Sequence, residues 1–443
     1  MGAKRPSYKG NPDLRQFKHV PAPPVEQIEK ELFSILSPQN FKPLKLFKEE
    51  GRKKLRERVL TLAVMMAVIL SLVYRQIPGL RELQRVLSES GLLWVEKTDV
   101  SVQALSKRLR TLPVELFTTI FEQVMSGLRT QKDKSATIVA IPSNWHEVYS
   151  SFTAIWIADG STLEALRRKL KALKEQEKTL AGKMMMVVEA FTHHPVTTWY
   201  TENSKANDKK WCDQLLERLP VGGLLIFDLG FFKFLWFDAF TEAGKFFVTR
   251  LREKTAYKVI HCLKSAQFFR DEIIMMGEYR SNPCQQEVRL VSVLWGSTWY
   301  YYLTNVLDPE ILCAQQVCEL YRRRWRVEDA FALTKRLLGL AYIWVGDANG
   351  VEIQILATWI FYAVLNQLCT QVAVALNQPL DRISTEMVFR SLYHFSQAVL
   401  HGEADDVVTY LVKRQKLFGL IKSRRKRHRE IDAHTQEIWA LSA

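Results

Sequence analysis

Residues 321–335 have the sequence YRRRWRVEDAFALTK, in which four polar side chains recur at helical spacing. At 3.6 residues per turn, Tyr321, Arg324, Glu328 and Lys335 fall within an arc of about 60° along roughly 21 Å of helix. A stripe of one tyrosine, two cations and one carboxylate is not typical of a core face. It fits a phosphodiester backbone, with the glutamate reaching a metal ion. A solvated face with ion pairs would have the same residue types.

Two aspartates follow apolar segments upstream of this helix. TAIWIA (153–158) precedes Asp159-Gly160, and GLLIF (223–227) precedes Asp228. In α/β proteins functional groups collect at the carboxyl ends of strands. A charged aspartate directly after a buried strand is costly unless it pairs or binds a cation. Both are therefore candidate site residues, although Asp159-Gly160 also fits a tight turn.

The pattern along the rest of the chain predicts an α/β core between helical regions. Strand-like runs at 184–191 and 196–202 are followed by a helical pattern at 208–219. Alternation of strands and helices of this kind is typical of α/β proteins. The stretch from 245 to 305 is strand-rich, and the chain before 130 and after 309 is predicted to be helical.

Two apolar segments are predicted to be buried helices. Residues 59–74 contain 16 uncharged residues, fewer than the roughly 20 needed to cross a bilayer. Residues 351–368 are apolar on nearly all sides, which indicates a helix inside a core. A buried helix at 59–74 is favoured over a membrane span, and no membrane partner is expected.

The charge of the chain is concentrated at its two ends. The formal net charge is +15, of which residues 1–58 contribute +7 and residues 413–443 contribute +6. Basic arms indicate a polyanionic partner, nucleic acid or an anionic membrane, although solvated tails would have the same composition. The six cysteines show no metal-binding spacing.

The spacing Tyr-x2-Arg-x3-Glu-x6-Lys of the helix quoted first matches, position for position, the signature of the insertion-sequence-4 family of DDE transposases. The order of parts is also similar to that family. Asp159 comes first, Asp228 with Gly230-Phe231 follows, and a β-rich stretch separates them from the glutamate helix. The resemblance covers about residues 150–375.

This resemblance implies an RNase H-like catalytic core with a β-rich insertion at about 245–305. Asp159, Asp228 and Glu328 would form a DDE triad that holds two Mg²⁺ ions, for which Mn²⁺ substitutes. Three ionised carboxylates need cations in order to lie together. The implied reaction is cut-and-paste transposition of an insertion sequence, by two-metal hydrolysis and then strand transfer at the transposon ends. The implied partners are double-stranded DNA, as terminal inverted repeats and target, and a second protomer in a homodimeric synaptic complex.

The resemblance also implies DNA contacts. Tyr321 and Arg324 would hold phosphates near the transposon terminus, and Lys335 would contact the terminal strand. Related enzymes trap a flipped base on an aromatic side chain of the insertion, for which core packing is the alternative role. The further candidates, some of them with equally ordinary structural roles, are Arg322, Trp325, Arg250, Trp299 and Tyr300.

We therefore predict three regions and a prokaryotic, cytoplasmic, nucleoid-associated protein. Residues 1–130 form an N-terminal helical DNA-binding region with a basic arm. Residues 131–375 form the catalytic domain, and residues 376–443 form a helical C-terminal region with a basic tail. The alternative is a catalytically inactive, transposase-derived DNA-binding protein.

Overall fold

The structure is a computed structural model, and not every residue of the chain is described. The predicted arm at 1–58, nearly all of the predicted helix at 162–180 and the basic tail beyond Lys422 lie outside the described residues. The described residues are 59–74, 77, 79–92, 95–130, 141–163, 182–336, 338, 340, 343–344 and 347–422.

Helices precede the sheet, as the sequence before residue 130 predicts. Ser101 caps the third of them by accepting a hydrogen bond from the amide of Ala104 at 3.2 Å. Leu105 and Leu109 of that helix are buried, and Pro113 separates it from the next. The first helix is buried over Met65–Val73, which confirms the predicted core helix. The bounds are α1 Leu62–Tyr74, α2 Leu80–Glu89, α3 Val102–Thr111, α4 Val114–Thr130 and the short α5 His146–Ser151.

The nine strands of the described chain form one open sheet in the order β3-β2-β1-β4-β5-β9-β8-β7-β6. The predicted α/β class is confirmed. The strands are β1 Ile155–Thr162, β2 Lys183–Glu189, β3 Pro195–Thr201, β4 Leu224–Ile226, β5 Phe246–Arg250, β6 Tyr257–Ala266, β7 Phe269–Met276, β8 Val288–Trp295 and β9 Thr298–Thr304.

Three neighbouring strands of this sheet are parallel, and their carboxyl ends share one edge. β1 pairs in parallel with β4, and β4 pairs in parallel with β5. Parallel neighbours need a crossover connection. α6 (Cys212–Arg218) lies in the connection that enters β4, and α7 (Phe234–Glu242) connects β4 to β5. The edge beyond Ile157 and Ile226 is therefore where polar side chains from separate strands can meet.

The strands predicted between 245 and 305 are confirmed, but they do not form a separate sheet. β5 is the outer parallel strand, and it pairs antiparallel with β9 through Val248–Arg250 and Tyr302–Thr304. β8, β7 and β6 then continue the same sheet by antiparallel pairing. The β-rich stretch is therefore an extension of the sheet that carries Asp159.

The sheet has an apolar core on each face, as alternation along its strands requires. Ile155 and Ile157 of β1 face the larger core, which also contains α1 and the C-terminal helices. Trp156 and Ala158 face a second core packed by α6 and α7. Helices thus cover both faces, and the polar edge between the two layers is left for the site.

The described residues between 309 and 422 are mainly helical, as predicted. Among the described residues, one helix, Ala348–Ala375, is long and apolar enough to cross a membrane. However, 78% of its most apolar 18-residue segment is buried inside the protein. It contains the predicted buried segment 351–368 and serves as a core helix. The bounds are α8 Ala314–Arg323, α9 Trp325–Arg336, α10 Ala348–Ala375, α11 Thr385–Leu400, α12 Val407–Lys413 and α13 Gln415–Phe418.

Candidate active site

Asp159 lies inside β1 and not after its end. The parallel pairing of β1 with β4 stops at Ile157, but β1 continues to Thr162 by antiparallel pairing with β2. Asp159-Gly160 is therefore extended strand, and the tight-turn alternative is wrong. The side chain of Asp159 is 11% exposed. It thus projects from the rim of the sheet, two residues beyond the last parallel pair.

Asp228 lies just beyond the carboxyl end of β4, the parallel neighbour of β1, as the apolar run before it predicts. It follows the strand by two residues and caps a short 3-10 turn, Leu229–Phe231. Its Oδ1 accepts a hydrogen bond from the amide of Gly230 at 2.8 Å. This bond fixes the carboxylate at the carboxyl end of β4, next to the rim that carries Asp159.

The helix with the signature residues is broken at Arg324. α8 ends at Arg323 and α9 begins at Trp325, so residues 321–335 are two helices rather than the predicted one. The Arg324 backbone is still helical, with φ −50° and ψ −38°. The helical spacing of the signature residues is therefore kept across the break, although the α-helix is interrupted at Arg324.

The predicted stripe of exposed polar groups is largely buried. Tyr321 is 7% exposed and its ring packs 5.5 Å from that of Tyr302. Arg324 is 6% exposed, and its Nη1 donates to Asp159 Oδ2 at 2.8 Å. The Glu328 side chain is 48% exposed, and its Oε1 is 3.7 Å from Arg324 Nη2. Arg324 thus bridges the two carboxylates, because a buried Asp159 needs a cation.

Lys335 is anchored on β1 beside Asp159. Its Nζ donates to the Ser161 hydroxyl and, at 2.8 Å, to the Thr162 carbonyl. Burial lowers the pKa of Lys335 to about 8, although the negative charge of Asp159 acts to raise this pKa. One turn of α9 away, Ala332 contributes only a methyl group to the same face.

The three carboxylates, Arg324 and Lys335 line one open cleft of about 490 Å³, whereas Tyr321 is not among its lining residues. Three segments that are far apart in the sequence meet there, as the resemblance implies for a DDE triad. The lining residues are Asp159, Gly160, Ser161, Asp228, Arg324, Glu328, Phe331, Ala332 and Lys335.

Asp159 is poised between its neutral and charged forms. Burial raises the pKa of Asp159 to about 7, although the Arg324 guanidinium lowers it. The carboxylates of Asp228, Glu328 and Asp208 raise it further, because each repels a second negative charge. The cleft therefore has more carboxylate charge than Arg324 alone balances.

Asp208 is a fourth carboxylate that sequence reasoning missed. It begins a 3-10 turn, Asp208–Trp211, in the connection between β3 and β4. Its Oδ1 lies 2.6 Å from Lys183 Nζ, and both side chains are mostly buried. The local sequence NDKKW is typical of a solvated turn, so only the small residue after Asp159 and the glycine after Leu229 signal a close approach here.

The other predicted DNA contacts lie outside the residues that line the cleft. The ring of Trp325 is exposed, 4.6 Å from the Arg324 guanidinium. Arg322 stacks 3.7 Å from the ring of Trp295, and Arg250 lies 5.7 Å from that of Tyr300. Trp299 lies 5.6 Å from the guanidinium of Arg270. Their roles toward DNA stay predictions.

The donor set of the cleft suits a hard divalent cation. Its carboxylate oxygens are the ligands that Mg²⁺ and Mn²⁺ prefer, and the excess negative charge gives a cation a reason to bind. In the described part of the chain, no three His, Cys, Asp or Glu side chains yet converge on a single point. The residues of the cleft thus fit a divalent cation in their chemistry and charge, while Arg324 lies between Asp159 and Glu328.

We predict that Asp159 makes the cation-free protein less stable as the pH rises. The folded-state pKa of about 7 lies above the ordinary 3.8, so the neutral form is favoured on folding. This contribution is complete below pH 3.8 and is lost as the pH rises to about 7, by at most about 1.4 kcal/mol per pH unit. Urea unfolding from pH 4 to 8 in EDTA measures it, with Asp159→Asn as reference. The prediction would be contradicted if the difference in the free energy of unfolding between wild type and Asp159→Asn did not change with pH.

Comparison with known proteins adds two similarities. Residues 150–363 match the family model described as "Transposase DDE domain". The curated "Putative transposase y4zB" of Sinorhizobium fredii (strain NBRC 101917 / NGR234) is 27% identical over 187 residues. These residues are 40% of this chain and 50% of that protein, so the chain spans about half the length of the curated relative it matches. Both similarities support a transposase, and the range 150–363 contains Asp159, Asp228 and Glu328.

Proposed function

We propose that this protein is a DDE transposase of the insertion-sequence-4 type, which cuts and joins DNA at the ends of an insertion sequence. The observation that carries the proposal is that Asp159, Asp228 and Glu328, from three distant segments, line one cleft. The mixed sheet with helices on both faces supports the RNase H-like core that the Tyr-Arg-Glu-Lys signature implies.

The three carboxylates would hold two Mg²⁺ ions. Bound there, divalent ions would supply activation of the attacking water or 3′-hydroxyl and stabilisation of the leaving oxygen. The chain supplies the frame for this chemistry. β1 and the turn after β4 fix the two aspartates, while α9 presents Glu328 from the open side of the cleft. Arg324 neutralises Asp159 in the arrangement described here.

The cations of the cleft would position the DNA. Lys335 is held against β1 by Ser161 and Thr162, so its charge is fixed at the wall where a scissile phosphate must lie. Charge-assisted donors of this kind bind phosphate strongly. The small side chain of Ala332 lines the cleft beside Glu328, whose own side chain is about half exposed.

The remaining parts of the proposal concern assembly. Excision needs both transposon ends, so we propose a homodimer in the synaptic complex, with target DNA as a further partner. The helices α1–α4 with the basic arm would bind the terminal repeats, and the basic C-terminal tail would add contacts to phosphates. Such contacts make affinity fall steeply with salt. We propose a cytoplasmic, nucleoid-associated location in a prokaryote.

Cleavage of an end-labelled duplex that carries the element's own terminus tests the function. With Mg²⁺ or Mn²⁺ the wild-type protein is expected to nick the duplex at the terminus, and EDTA is expected to abolish the product. A duplex with a scrambled terminus is the control. Specific binding without nicking in either metal would instead support the catalytically inactive DNA-binding protein.

A further inference from the structure

Asp208 occupies space that two glycines leave open beside the triad aspartates. A Cβ added at Gly160 would lie 3.0 Å from Asp208 Cγ, and one added at Gly230 would lie 3.0 Å from Asp208 Oδ2. Gly160 directly follows Asp159, and Gly230 is the amide donor to Asp228. The Asp208 carboxylate is therefore wedged between the two backbone segments that carry the catalytic aspartates.

Lys183 holds this carboxylate in place by an ion pair. Its Nζ lies 2.6 Å from Asp208 Oδ1 and donates to the Ala206 carbonyl at 3.0 Å. Lys183 is the first residue of β2 and pairs with Thr162 at the end of β1. The Lys183 and Asp208 side chains are 13% and 15% exposed. The pair thus links β1, β2 and the connection to β4 at the rim of the cleft.

The charge balance of the pair distinguishes Asp208 from Asp228 and Glu328, two of the three triad carboxylates. The Lys183 ammonium balances Asp208, whereas Asp228 and Glu328 have no cation at comparable distance among the contacts of the described residues. Asp208 also raises the pKa of Asp159, so it lies within electrostatic reach of the cleft. A carboxylate that lies between two backbone segments and is held by a lysine is suited to keeping those segments apart.

We propose that Asp208, clamped by Lys183, is a positioning residue that sets the spacing between Asp159 and Asp228 for divalent-cation binding. The proposal rests on the proposed function insofar as those aspartates bind the cations. Outer partners of metal ligands typically change metal affinity by about 10–100-fold when removed. Asp208 acts through the backbone at Gly160 and Gly230 and touches neither DNA nor the reacting atoms.

The first test measures Mn²⁺ binding by calorimetry in the absence of DNA, for the full chain. Asp208→Ala is expected to raise the dissociation constant for Mn²⁺ by about 10–100-fold. Asp208→Asn keeps the shape of the side chain, and its dissociation constant for Mn²⁺ should lie between those of wild type and Asp208→Ala. The matched control is Asp213→Ala, which removes an exposed carboxylate from the next helix and should stay within about 2-fold of wild type.

Two further variants test the clamp itself. Lys183→Ala should reproduce the shift of Asp208→Ala, and the double variant should add little, because both remove one interaction. Gly160→Ala should weaken Mn²⁺ binding although Asp208 is still present, since the new methyl group displaces the Asp208–Lys183 pair. Thermal unfolding of each variant in EDTA confirms that the fold is intact.

The metal dependence of DNA nicking gives the second readout. In Asp208→Ala the Mn²⁺ concentration for half-maximal nicking should rise in parallel with the dissociation constant, and the rate at saturating Mn²⁺ should recover to within a few-fold. Unchanged Mn²⁺ binding in folded Asp208→Ala would overturn the proposal. Loss of all Mn²⁺ binding in both Asp208→Ala and Asp208→Asn would also overturn it, because Asp208 would then be a ligand.

The outcomes separate this inference from the proposed function. If wild type binds Mn²⁺ and Asp208→Ala weakens that binding, the positioning role holds even where no DNA is nicked. In that case only the transposase proposal fails. If wild type binds no Mn²⁺, the positioning proposal fails as well.

Discussion

Asp228→Asn is expected to reduce metal-dependent nicking of the transposon end by about 10³-fold or more. The substitution removes a negative oxygen at the carboxyl end of β4, where the proposed divalent cations would be held. Losing one preorganised electrostatic group from an active site costs about 10²–10³-fold, and a lost metal ligand should cost at least as much. Asp159→Asn and Glu328→Gln are expected to have effects of the same size, because all three side chains line one cleft.

This prediction has a matched control on the same helix. Asp329 neighbours Glu328 on α9, but its side chain is 73% exposed and it is absent from the lining of the cleft. Asp329→Asn should therefore nick DNA within about 2-fold of wild type. Gel-shift titration should show that all four variants still bind the end duplex. Nicking that survives any one triad substitution would show that this carboxylate is not a metal ligand.

Arg289→Ala is expected to lower the free energy of unfolding by about 3–5 kcal/mol, the largest stability effect that the structure predicts. The guanidinium is 0% exposed and forms two hydrogen bonds to Asp271, of 2.7 and 2.6 Å. A third bond reaches the Leu312 carbonyl at 2.7 Å. Removing Arg289 leaves the buried carboxylate of Asp271 without its cation inside the β8–β7 extension of the sheet.

Urea unfolding followed by tryptophan fluorescence measures this loss. The double variant Asp271→Ala/Arg289→Met should be more stable than Arg289→Ala, because it leaves no charge unpaired. Arg85→Ala is the surface control. It breaks an ion pair in which the arginine side chain is 73% exposed, and should change the free energy of unfolding by less than about 1 kcal/mol. Equal destabilisation by Arg289→Ala and Arg85→Ala would contradict the prediction.

The positions of the two aspartates could be predicted because burial leaves a strong trace in the sequence. Uninterrupted apolar runs such as GLLIF identify strands covered on both faces, and the first charged residue after such a run must lie near an edge. The extent of β1 beyond Asp159 could not be predicted in this way. Its continuation depends on antiparallel pairing with β2, and that pairing involves residues far along the chain.

The break at Arg324 had no local signal either. Residues 321–335 contain no glycine or proline, and the periodicity of the signature is retained across the break. The break and the burial of Arg324 accompany the ion pair with Asp159, 165 positions earlier. Asp208 was missed for a related reason. Its polar surroundings predict a solvated turn, and only the folded arrangement of three segments encloses it.

If the cleft binds divalent cations as proposed, the ion pair between Arg324 and Asp159 determines the state of the cleft before they bind. Arg324 is a counter-ion for Asp159 that belongs to the same chain. The buried carboxylate is therefore compensated on folding without an ion from solution. Under the proposed function, folding and metal binding would be two separate events. The guanidinium would be released or shared when an ion binds to Asp159, so cation binding would be an exchange rather than a simple addition.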